Sequence, residues 1–231
     1  MAILFFYFEV FMKYLKKLIL SFKEIFFMFI LQYIVLIACI VCLGKDRSII
    51  IGTIIVCIVE ILYVIFRLKN DKIVIGRHNL FPYVLMGIGI TTSYNMLLYA
   101  MKLGNKNIVD INIFLNIVAS GIVGPIFEET LFRYSFINSL KKFNSQKMVI
   151  FISSLVFAIC HTGITTCIYA FIIGIVNAYL YMEKKDILIP IVIHMSANIF
   201  VNILNSYNLY VLIIGIFLVI LSTIIIRNCK D

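Results

Sequence analysis

Apolar runs of the length needed to cross a hydrocarbon core of roughly 30 Å recur along the whole chain. They lie near 25–44, 49–66, 80–101, 108–123, 148–163, 166–182, 187–205 and 208–226, with polar residues gathered in the short intervals between them. The pattern predicts an all-α fold: a polytopic membrane helix bundle of about eight transmembrane helices. Ahead of the first run, VFMKYLKKLILSFK sets Lys13, Lys16, Lys17 and Lys23 among apolar positions at helical spacing. That predicts an interfacial amphipathic helix over 1–24, followed by a transmembrane helical domain over 25–231. Residues 1–12 lack a basic leading stretch and contain Glu9, so no cleavable signal peptide is expected there.

The stretch 108–142 is too long for one ordinary span. Gly121, Gly124 and Pro125 interrupt it, and proline suits the first turn of a new helix. It reads as an arm over 108–123 and a second helix over 125–142, joined either as one kinked helix or as a partly re-entrant unit. Broken backbone at membrane depth survives only where protein or a water-filled cavity surrounds it.

Composition narrows the class. Of 231 residues, 63% are hydrophobic and 13% charged, against about a quarter charged in soluble domains. A water-facing surface cannot be built from so few charges. The 20 Lys and Arg against 11 Asp and Glu give a net charge of +9. No basic run is interleaved with aromatics as a single-strand channel requires, so nucleic acid is not expected as a partner. The excess reads as topology instead. With the N-terminus cytoplasmic, fifteen of the basic residues fall on the inner side and Lys45, Arg47, Lys102 and Lys106 on the outer. A multi-pass cell-membrane protein with both termini cytoplasmic is the expectation. The six cysteines lie in or beside apolar segments, and Cys39 and Cys42 form a CxxC without a second pair. They read as small buried hydrophobes, not a metal or redox site.

The twentieth basic residue, Arg133, lies inside an apolar stretch, in GPIFEETLFRY with Glu128 and Glu129. Ionisable groups at membrane depth are costly and mark function or a paired structural site. Glu129 and Arg133 are four apart on one helix face, placed to pair. Glu128 lies about 100° around the helix and can point elsewhere. His161 follows in SSLVFAICHTG, with Phe157 one turn before it on the same face, where its ring can pack beneath the imidazole. His194 follows in PIVIHMSANIF, with Asn198 one turn later; Asn202 and Asn205 continue that stripe. Asn112, Asn116 and Ser120 make a similar stripe on the 108–123 arm. Counted from the flanking lysines, Glu128 and His161 are each 14 residues deep, roughly 21 Å at the helical rise, on antiparallel neighbours.

Such a set can deprotonate a water for attack on a carbonyl, using a carboxylate and an imidazole. A second imidazole and an amide can then donate to the oxyanion. The same residues also allow a divalent metal such as zinc on Glu128, His161 and His194 with an open position for water, so metal dependence stays open. No HExxH, G-x-S-x-G or glycine-rich phosphate loop occurs. Elsewhere, Glu60 reads as structural, Asp110 as a helix N-terminal charge, and His78 as solvated in the basic loop IGRHNLF.

Taken in order, EExxxR (Glu128, Glu129, Arg133), FxxxH (Phe157, His161) and HxxxN (His194, Asn198) resemble the three motifs of the CPBP, or Abi, family of CAAX-processing and bacteriocin-processing intramembrane proteases. The resemblance covers about 121–205, the expected catalytic core. Tyr134 stands where the family often has glycine. The resemblance implies a protease, metal-dependent or glutamate-type, cutting a peptide or lipidated protein at the membrane lipid. Glu128 and His161 would activate water, His194 and Asn198 would bind the oxyanion, and Glu129 with Arg133 would hold the first motif in shape. Two other readings compete: a non-proteolytic immunity or scaffold protein of the same fold, and a small transporter relaying protons through buried carboxylates.

Overall fold

A computed structural model describes residues 2–103, 113–203 and 208–228, and the side chains among them except those of 2–6 and 45–48. Lys106, Asp110, Asn112 and Asn205 fall outside the described residues. The elements are α1 (Ala2–Ser21), α2 (Lys23–Leu43), α3 (Lys45–Asn70), α4 (Phe81–Ala100), α5 (Ile113–Leu140), α6 (Gln146–Ile159), α7 (Ile164–Lys184), α8 (Leu188–Ile203) and α9 (Leu209–Asn228). The described residues contain no strand. The protein is a polytopic helical bundle.

The apolar runs set these helices, and the hydrophobic pattern locates most ends within four residues. Four stretches meet the length and hydropathy of a span outright: Ile49–Asn70, Ile113–Leu140, Ile164–Lys184 and Leu209–Asn228. A fifth, Tyr7–Leu43, is longer than expected at 37 residues. It corresponds to roughly 55 Å at the helical rise. Phe22 keeps a right-handed helical conformation between α1 and α2, so the amphipathic segment runs on into the first span. Tyr14 donates to Asn144 Oδ1 at 3.0 Å and packs edge-on against Phe143, seating α1 on the α5–α6 turn. At 14 and 16 residues, α6 and α8 are the short members.

Of the two forms left open for the 108–142 stretch, the described part is one helix, α5, in which Ile117–Val123 and Thr130–Ile137 are wound as π-helix. It forms the centre of the bundle. Its residues Leu131, Phe132, Phe136, Ile137 and Leu140 are fully enclosed, packed among α2, α6 and α7. By contrast α2, α3 and α9 turn Ile, Leu, Phe and Val outward along their lengths. An apolar surface of that extent marks a membrane face, because lipid tails solvate it and water does not.

Polar anchors tie the outer hairpin to this centre. Ser135 of α5 and Tyr63 of α3 both donate to Glu24 Oε2 of α2, at 2.6 and 2.9 Å, and Arg67 lies 3.2 Å from Glu24 Oε1. Arg67 also stands over the ring of Tyr134, 5.5 Å from its centroid. At the start of α8, Asp186 Oδ1 caps the Leu188 amide at 3.0 Å, the usual role of aspartate at a helix N-terminus. Its Oδ2 lies 3.0 Å from His78 Nδ1. His78 is therefore paired and half-buried, not solvated, and ties the 71–80 segment to α8. The five described cysteines are free thiols, and of these Cys39 is buried and Cys42 exposed.

Candidate active site

Gly121, Gly124 and Pro125 determine how α5 presents its groups. In the π-wound turn the Gly124 amide reaches back five residues to the Ala119 carbonyl. The next amide in that register, facing the Ser120 carbonyl, belongs to Pro125, which has no N–H. Asn198 of α8 fills the gap, donating from Nδ2 to Ser120 O at 2.8 Å. Close approach makes this reachable, since a Cβ on Gly121 would stand 3.0 Å from Ile199 Cγ1. Further along, Asn116 Nδ2 donates to Asn202 Oδ1 at 2.8 Å, so the two polar stripes face one another.

One turn after Pro125 the helix carries Glu128 and Glu129, and their environments differ. Glu129 is fully buried: Oε2 lies 2.9 Å from Arg133 Nε, while Oε1 accepts from His194 Nδ1 at 2.9 Å and from Asn177 Nδ2 at 3.0 Å. Arg133 is equally enclosed, and its guanidinium carbon stands 4.8 Å from the centroid of the Phe157 ring. The expected Glu129–Arg133 pair is therefore present. Its function in the structure is to anchor a histidine from another helix. Asn177 carried no sequence signal beyond being a lone amide in the apolar run FIIGIVNAYLYM, and was not among the expected residues. It also donates to the Pro190 carbonyl at 3.3 Å, locking α7 to α8 beside the clamp.

Phe157 is the packing centre. Its ring meets His161 edge-on at 4.7 Å, His194 at 5.8 Å and Phe132 at 5.1 Å. The expected packing of Phe157 against His161 is present, and the same ring also touches His194. His161 Nδ1 lies 2.8 Å from the Phe157 carbonyl. A carbonyl only accepts, so Nδ1 carries the proton and Nε2 keeps its lone pair. For His194 the carboxylate of Glu129 likewise assigns a proton to Nδ1, leaving Nε2 3.8 Å from Glu128 Oε2.

Glu128, His161, His194 and Asn198 line one cavity of about 290 Å3, together with Ser120, Gly124, Phe157 and Thr166. Glu128 is partly exposed there, with 31% of its side-chain surface open, against none for Glu129. One carboxylate is thus held in an ion pair while its neighbour faces open space. Among the described residues, no three His, Cys, Asp or Glu side chains are grouped to hold a metal ion. Glu128, His161 and His194 all border the cavity, with His194 Nε2 3.8 Å from Glu128 Oε2.

Residues 110–200 match the family described as type II CAAX prenyl endopeptidase Rce1-like. Over 91 residues the chain is 35% identical to the putative membrane peptidase YdiL of Bacillus subtilis, covering 39% of this chain and 37% of that protein. Over 145 residues it is 28% identical to the membrane-embedded CAAX protease MroQ of Staphylococcus aureus, covering 55% of this chain and 59% of that protein. It is also 30% identical over 81 residues to the UPF0177 protein YxdF of Lactococcus lactis. The chain spans between about two fifths and three fifths of the lengths of these relatives. No solved structure matches it. The matched segment contains every residue of the three motifs, and it is α5 to α8 that bring them together. Over α5 to α8 this multi-pass membrane protein is similar to the CAAX endopeptidases and membrane peptidases, a likeness that supports its assignment to the CPBP family.

Proposed function

We propose that the protein is an intramembrane endopeptidase that cleaves a membrane-associated peptide or protein with water activated by Glu128 and His161. The observation that carries this reading is the single cavity onto which Glu128, His161, His194 and Asn198 all open. A water in it can give a proton to Glu128 while hydrogen-bonding to the free Nε2 of His161. The resulting hydroxide attacks the scissile carbonyl carbon. Asn198 retains a second amide hydrogen besides the one used on Ser120, and that hydrogen can meet the oxyanion. His194 joins it only when Nε2 is also protonated. Collapse of the tetrahedral intermediate breaks the C–N bond, and the proton held by Glu128 passes to the leaving amine. No step of this scheme needs a bound metal.

The basic residues support an orientation with both termini cytoplasmic. In that frame α1 is on the inner side of the first span, and the substrate is a peptide or lipidated protein held at the membrane lipid.

Wild-type protein purified in detergent is expected to cleave a fluorogenic reporter peptide and to keep that activity after dialysis against EDTA. His161→Ala is expected to abolish it. Loss on dialysis with recovery on adding zinc would overturn the metal-independent mechanism. Undiminished cleavage by His161→Ala would remove the histidine from the reaction.

Pro125→Ala tests the oxyanion arm separately. It supplies the missing amide to the Ser120 carbonyl and so releases Asn198 from its tether. The value of kcat is expected to fall about tenfold, the size of one well-placed hydrogen bond, while the unfolding temperature holds or rises. An unchanged kcat would show that the tether does not position Asn198.

A further inference from the structure

A second cavity of about 290 Å3 adjoins the first, and Glu128, His161 and Thr166 line both. Its far wall comes from the α2–α3 hairpin, with Gln32 and Glu60, and from the rings of Phe29, Phe127 and Phe132. Neither Gln32 nor Glu60 lies in the family-matched segment 110–200. Glu60 is 9% exposed at the middle of α3, and its Oε1 accepts from Gln32 Nε2 at 2.9 Å. Gln32 orients the carboxylate but brings no charge, and among the described residues Glu60 has no ion-pair partner.

A carboxylate at membrane depth is costly, and it is tolerated where it faces a polar cavity or meets a cation. Here it faces a cavity walled partly by aromatic rings. Aromatic faces attract cations through their quadrupole, and a carboxylate adds a charged acceptor. Anions are repelled, because Glu60 and Glu128 border the same space. At about 290 Å3 the cavity lies near the floor of ligand-pocket sizes, roughly 300–1,000 Å3, so it suits one long side chain and not a folded partner or large cofactor.

We propose that this second cavity is a side-chain subsite of the peptidase and that it takes a basic residue, lysine or arginine, flanking the scissile bond of the substrate peptide. The inference rests on the endopeptidase reading given above. The route between the cavities, past Glu128, His161 and Thr166, runs directly beside the groups that would act on the peptide bond. Glu60 receives the ammonium or guanidinium, Gln32 holds the carboxylate in place, and the three phenylalanine rings surround the aliphatic stem. The α2–α3 hairpin then contributes specificity to a core that it does not share with the family match.

The test uses the full-length protein in detergent and reporter peptides carrying lysine or norleucine at successive positions on both sides of the cleaved bond. At one position the lysine peptide is expected to show a kcat/KM roughly ten- to hundredfold above its norleucine counterpart, the range for a buried charged hydrogen bond. In Glu60→Gln that ratio is expected to fall to near one, through a rise in KM for the lysine peptide. Equal rates for lysine and norleucine at every position in the wild type would overturn the subsite and leave the endopeptidase reading standing. So would a Glu60→Gln variant that slows all peptides alike with the ratio kept, which is the signature of a structural pair. Cleavage of no peptide by the wild type would overturn both. Should Glu60→Gln fail to fold, the wild-type ratio decides the question alone.

Discussion

Glu128→Gln is expected to reduce kcat by roughly 10²–10⁴-fold, the usual contribution of a general base, with KM changed little. Glutamine has nearly the same shape, so the cavity keeps its volume. It offers no carboxylate to take the proton from water, and nothing nearby substitutes for it. Glu129 is enclosed and already bound by Arg133, His194 and Asn177. His161 keeps a free Nε2, but alone it is a single acceptor with no second group to bind the water. Among the described residues the nearest basic side chain to Glu128 is His194, at 3.8 Å, and part of its surface is open, so the unfolding temperature in detergent should stay within a few degrees of the wild type. A variant that keeps more than half the wild-type rate would remove Glu128 from the chemistry. In that case a packing or immunity role for the motif residues would explain the site better.

The second large effect concerns Glu129 and Arg133. Either Glu129→Leu or Arg133→Leu leaves an uncompensated charge in a fully enclosed position. Such a loss typically costs about 3–5 kcal/mol, enough to lower the yield of folded protein severely. The double variant Glu129→Leu/Arg133→Met removes both charges and keeps apolar volume, so its stability should return most of the way toward that of the wild type. Activity should not return with it. His194 Nδ1 loses its acceptor and Asn177 Nδ2 one of its two, and the His194 ring is then free to turn away from the cavity. Thermal unfolding in detergent paired with reporter cleavage separates the two effects. A single variant that is stable and active would show that the clamp neither supports the bundle nor positions His194.

The membrane class, the helices and the residues of the site were legible because lipid imposes a simple rule. In an apolar chain any buried charge or amide is conspicuous, so Glu128, Glu129, Arg133, His161, His194 and Asn198 stood out against their surroundings. Helical periodicity then placed Glu129 with Arg133, and Phe157 with His161, because both are local relations within one helix. Asn177 escaped notice for a physical reason. A lone amide inside a helix has a satisfied backbone around it, and nothing in its own segment shows that Glu129 and Pro190 come within reach. The loop IGRHNLF by itself reads as solvated at His78, since the contact that fixes this residue lies 108 positions away at Asp186. The choice between the two forms left open for α5, one helix or a re-entrant unit, also depends on packing. Gly121, Gly124 and Pro125 interrupt an α-helical ladder, but π-winding with help from Asn198 lets the helix continue, and that help comes from another segment.

The hydrophobic pattern by itself determined that the chain is a helical membrane bundle, roughly where each helix runs, and which few polar residues it cannot hide. Those facts depend on local periodicity and on the cost of exposing backbone or charge to lipid, both written in contiguous sequence. Only the tertiary structure decided what surrounds each of the two glutamates. Glu129 turns into a clamp made by α5, α7 and α8, and Glu128 turns into the cavity. Adjacent on one helix, they differ in what the neighbouring helices bring to them, and burial and partnership at that distance are properties of packing.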